Sequence, residues 1–149
     1  MTHSTTLSIP RDEVRDALAE GFRSGRLPSV PDTLATVFGR APVSVRANLL
    51  GVLLKSASPL ALSVLAAGRF ATYMFRDRWA DLPISPEEAS QVTVSQFVEI
   101  ARYAEQADPT LIARLSSVLA ADNASLVALG AGVVALLVQF ILERRRAAH

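Results

Sequence analysis

The stretch from Asn123 to Leu142, NASLVALGAGVVALLVQFIL, carries no charged residue and is followed at once by one glutamate and then Arg144, Arg145 and Arg146. A helix of about 20 residues is about 30 Å long, enough to span the hydrocarbon of a bilayer. A helix that is apolar all round belongs either in lipid or at the centre of a soluble helical domain. The choice between these two settings governs most of what the sequence implies about function.

The membrane setting makes a charge map that can be checked. With spans at Pro59–Phe75 and Leu126–Leu142, the flanking segments 1–58 and 143–149 are each net +2 and the loop between is net −4. That is the bias of a two-pass hairpin with basic ends inside. Against it, Arg69 lies within the first span, where an arginine is costly unless it reaches a partner. The loop also holds two amphipathic patterns that need something to cover them.

Those patterns sit in a chain whose punctuation is helical throughout. Ser8, Ile9 and Pro10 precede a stripe of Val14, Leu18 and Phe22, which should stop at Gly25. A short helix from Pro31 presents Leu34, Val37 and Phe38 before Gly39, and another begins near Ser44 with Leu49, Leu50, Leu53 and Leu54 on one stripe. Ser58-Pro59 breaks the chain. Ser85, Pro86 and Glu88 have the form of a capping box. Beyond them Val94, Phe97, Val98, Ala101 and Ala104 repeat at helical spacing, and Asp108-Pro109 opens a further helix with Leu111, Leu115 and Leu119 inward. The last helix follows Asp122-Asn123. No segment alternates with period two over a useful length, so the sequence predicts a single all-α domain over 1–149, a compact orthogonal bundle of six to seven helices. Its hydrophobic C-terminal helix is either buried at the centre or inserted in a membrane over 126–142.

Within that last helix Ala124, Ala128, Gly132 and Ala135 recur at or near every fourth position, and Gln139 continues the stripe. Small residues in such a row let another helix approach closely, in a soluble bundle or in a membrane dimer alike. Arg144, Arg145 and Arg146 would then lie at a headgroup surface or at the solvated end of the helix.

Composition excludes several chemistries. The chain has no cysteine, and its two histidines are His3 and His149, at or near the termini. Serine–histidine, cysteine–histidine and the common zinc constellations therefore have nothing to use, and the Glu-x-x-His pairs of di-metal bundles are missing. No cofactor, catalytic residue or metal ligand is expected. With 15 basic against 14 acidic residues the net charge is +1, which gives no field to hold nucleic acid. The opening MTHSTTLSIPRDEVRD lacks the apolar run of a signal peptide, so a cytoplasmic location is expected, or the inner membrane if the last helix inserts.

What remains is recognition. Arg69, Tyr73, Arg76 and Trp79 combine cations with aromatic faces within RFATYMFRDRW, and on a helix Arg69, Tyr73 and Arg76 share a side. Phe38, Leu49 and Leu53 are candidates to line a groove for a partner's amphipathic helix. The expected function is that of a non-enzymatic interaction or regulatory module with a protein partner or a second copy of itself. The alternative is a small membrane-anchored or membrane-active protein using its last helix.

Overall fold

The computed structural model describes residues 9–75 and 82–147. Among these the chain forms nine α-helices and no strand: α1 Arg11–Ser24, α2 Val30–Arg40, α3 Val43–Leu54, α4 Pro59–Val64, α5 Pro86–Ser90, α6 Val94–Ala107, α7 Leu111–Ala121, α8 Asn123–Leu129 and α9 Ala131–Ala147. The expectation of six to seven helices is corrected, and two local causes account for the added elements. Thr93 supplies a second capping box with Gln96, so the segment after Ser85 is two helices, α5 and α6. Gly130, at φ 96 and ψ 154, divides the long apolar run into α8 and α9.

Most predicted boundaries hold at the level of single caps. Gly25 ends α1 in the left-handed region, Ser58 accepts a hydrogen bond from the Ala61 N–H, and Ser85 and Glu88 form the reciprocal box. α2 runs past Gly39 to Arg40 and stops before Pro42, because a helical glycine is tolerated where a following proline is not.

The helix at the centre is α3. Seven of its 12 residues are buried, Leu49, Leu50, Leu53 and Leu54 completely, and α5, α6 and α7 pack around it. Phe38 of α2 and Phe97 of α6 stack with ring centroids 4.1 Å apart, joining those helices at the same core. α1 lies along α7, and α8 reaches α2.

The position of α9 overturns the central or membrane-inserted last helix. Only Leu137, Phe140 and Ile141 of its 17 residues are buried, against α1, while Gly132, Ala135, Gln139 and Leu142 face outward. The close approach is at Gly21, where an added Cβ would stand 2.7 Å from Leu27 and 3.3 Å from Phe140. With the run broken at Gly130, no single helix among the described residues is long and apolar enough to cross a membrane. The pair α7 and α8 passes by composition and length only when joined across a 108° bend. Leu111, Leu115, Leu119, Ala128 and Leu129 of that pair are buried in the protein core.

Candidate functional site

An apolar groove of about 330 Å³ opens where the start of α1 meets α8 and α9. Its floor is Leu137 and Ile141, both buried, and Val134 and Val138 form one wall at half exposure. These four residues fall at i, i+3, i+4 and i+7 of α9 and so share a face. Leu126 and Val127 of α8 make the opposite wall, Val127 being 76% exposed, and Ile9 and Val14 close the side. Asn123 is the one polar residue that lines it among the described residues.

The backbone explains why the groove exists. A straight helix through residue 130 would carry Leu126 and Val134 away from each other along one rod. Gly130 instead turns the chain in a region of φ and ψ open essentially to glycine, so that both residues line the same hollow. The Arg40 side chain occupies the place where a Cβ on Gly130 would point, at 2.5 Å.

The charges at the rim are sorted by pairing. Arg145, one turn beyond Ile141, forks onto Glu13 at 2.9 and 2.5 Å, and that hydrogen bond, with the charges of Arg145 and Arg144, holds the Glu13 carboxyl below its usual range. Arg26 stands 4.3 Å over the Phe140 ring and 3.6 Å from Glu143, fastening the α1–α2 connection to α9. Arg146 is exposed and has no ion pair among the described residues.

A second cleft, about 410 Å³, lies between α3 and the 82–84 segment and includes Asn48 and Asp122. Asp122 is already engaged, accepting from the Ala124 N–H at 2.8 Å as the cap of α8. Among the described residues no group of histidine and carboxylate side chains is placed to hold a metal ion.

The chain has no match among protein-family models, curated proteins or solved structures.

The residues singled out from the sequence fall into three environments. Phe38, Leu49 and Leu53 are 1% exposed or less and belong to the core, so the partner groove expected there has no open surface at those positions. Arg69 caps a short 3-10 turn after α4 (Leu65–Gly68) and Tyr73 ends the next (Ala71–Tyr73), and both reach α5 and its exit, Arg69 to the Gln91 amide oxygen at 2.9 Å and Tyr73 to the Glu88 carboxylate at 2.7 Å. Burial and that carboxylate push the Tyr73 hydroxyl up to about 12. Burial opposes ionisation of Glu88, but hydrogen bonds from the Ser85 N–H and from Tyr73 outweigh it and hold the carboxyl low. Arg76 and Trp79 lie outside the described residues. Ala128, in α8, is buried, and Gly132, Ala135 and Gln139 of α9 form an outward, uncharged face ending in Arg146.

Sequence reading missed the groove because it followed the small residues. The face that matters is Val134, Leu137, Val138 and Ile141, whose spacing is hidden when nearly every neighbour is also apolar. The signal available was Gly130, a glycine placed seven residues after Asn123 with a fresh helical pattern behind it.

Proposed function

We propose that this chain is a non-enzymatic interaction module whose groove between α1, α8 and α9 receives one amphipathic helix of a partner protein. The observation that carries the reading is the open apolar groove, lined on α9 by side chains at i, i+3, i+4 and i+7. A helix laid into such a groove buries its own apolar stripe at matching spacing. Val134 to Ile141 covers about 10 Å of helix, which sets the contact at two turns of the partner.

The site lacks convergent titratable groups, and its one polar lining residue, Asn123, offers an amide only. Orientation within the groove would therefore come from side-chain shape.

The test is selection of a helical peptide library displayed on phage against the full chain, with recovered peptides titrated against the wild type and a Val138→Asp variant. Binders with apolar residues at i, i+3 and i+7 and at least tenfold weaker binding to the variant support the proposal. Binders indifferent to Val138→Asp, or none at all, sink it. Sedimentation of the full chain with phospholipid vesicles in the absence of peptide would transfer the groove to a membrane role.

A further inference from the structure

Local preference and observed backbone conflict most sharply after α4. Leu65–Gly68 contains three successive residues at positive φ: Ala66 at φ 52 and ψ 42, Ala67 at φ 59 and ψ 31, and Gly68 at φ 77. For an alanine the left-handed region is disfavoured, whereas in a right-handed helix alanine is the best residue available. The sequence PLALSVLAAGRFATYMF thus favours a continuous helix at the place where the fold bends it back.

The bend is held from one side. The Glu99 carboxylate of α6 accepts the Ala66 N–H at 3.2 Å, Gln91 accepts from Arg69 at 2.9 Å, and Glu88 accepts from Tyr73 at 2.7 Å. Ala66 and Phe70 are buried beneath these contacts, whereas Leu60 and Val64, on α4, are 75% and 60% exposed. A strained segment persists only where its surroundings over-determine it, and here the surroundings are a row of three polar clasps and one buried aromatic ring.

We infer that Pro59–Phe75 is a two-state element, bent and clasped by Glu88, Gln91 and Glu99 in the form described, and straightening into one right-handed helix when those clasps open. Straightening withdraws Phe70 from the core and re-aims Leu60 and Val64, so the clasped form dominates and the straight form is the minor state. The inference does not depend on the groove at α9.

Amide hydrogen exchange and backbone couplings of the full-length chain, read by NMR at residues 65–70, test it with three variants. Ala66→Gly with Ala67→Gly removes the penalty of the bent form and should slow local opening by on the order of tenfold or more. Glu99→Ala should speed opening by about fivefold, and Glu99→Gln, which keeps an oxygen acceptor, should stay near wild type. The glycine variant opening faster, or Glu99→Ala leaving the 65–70 amides unchanged, would overturn the inference. Couplings showing negative φ at Ala66 and Ala67 in the wild type would do the same.

Discussion

The guanidinium of Arg145 meets both carboxylate oxygens of Glu13, at 2.9 and 2.5 Å, tying the last turn of α9 to the first turn of α1. Both side chains are partly exposed at the surface, so the pair serves as a local fastening and adds little to global stability. Because the folded state holds the Glu13 carboxyl low, the released form takes up a proton first as pH falls. The fastening is therefore complete above the ordinary carboxylate range and is lost as pH drops through the lowered value. Protection factors of the amides at the end of α9 should fall on acidification, and Glu13→Gln should show the lowered protection already at neutral pH. A variant whose α9 amides exchange as slowly as wild type at neutral pH would remove the pair from any role in holding the helix.

Gly130 offers a test by sign. At φ 96 and ψ 154 the backbone at Gly130 is strained for any side chain, and an added Cβ would also have to displace the Arg40 guanidinium, so Gly130→Ala should lower stability by about 1–3 kcal/mol in thermal or denaturant unfolding. Were residues 123–147 one straight helix in solution, the same change would raise helix content and stabilise by about 1 kcal/mol. Circular dichroism and the unfolding midpoint together separate the two outcomes.

The two cases show what the sequence made legible and why. Helix starts such as Ser58 and Ser85 were readable because their determinants are short-range, each accepting from an amide three residues on; Thr93 does the same at the start of α6, which the sequence pattern did not separate from α5. The choice of central helix was not, because α3 and α9 are both apolar on most faces and their burial depends on neighbours distant in sequence. The bend at Ala66 and Ala67 runs against their intrinsic preference and is set by Glu99, 33 residues away. No local pattern contains that information. The groove suffered the same ambiguity, since an apolar stripe within an apolar helix has no contrast to mark it.

Asp108 is 8% exposed and accepts from the Thr110 N–H at 2.9 Å, the Thr110 hydroxyl at 2.7 Å and the Arg114 guanidinium. Arg114 in turn donates to the Val52 carbonyl of α3 at 3.1 Å, so one carboxylate couples the α6–α7 corner to the central helix. Burial alone would raise the Asp108 carboxyl; the Thr110 and Arg114 contacts outweigh it and leave it lowered. Asp108→Ala should cost about 2–4 kcal/mol, since it removes the turn's acceptor and strands a half-buried guanidinium. Its contribution in the wild type is present above the ordinary carboxylate range and fades as pH falls. Denaturant unfolding at neutral and acid pH should show the variant and wild type converging at low pH; a gap independent of pH would contradict this account.

Ser116 makes the opposite prediction at a still more deeply buried position. It is fully enclosed in α7, and its hydroxyl has no hydrogen-bond partner among the described residues. Replacing an unsatisfied buried hydroxyl by a methyl group removes a desolvation penalty without opening a cavity larger than one atom. Ser116→Ala should be neutral or stabilising by up to about 1 kcal/mol. A loss above that size in the unfolding midpoint would mean that the hydroxyl has a partner in solution, such as a trapped water.

The walls and floor of the α9 groove should separate stability from binding. Leu137 lies on the floor at 3% exposure, and Leu137→Ala should cost about 2–4 kcal/mol as a core cavity does. Val127, at 76% exposure, contributes almost nothing to the fold, and Val127→Ser should shift stability by less than about 0.5 kcal/mol. If the groove receives a helix, that same Val127→Ser change takes an apolar contact from the complex and should weaken selected peptides by about three- to tenfold, with the unfolding curve unmoved. Equal affinity in wild type and Val127→Ser would place the docking surface elsewhere on α9, and the outward face of Gly132, Ala135 and Gln139 would be the next to substitute.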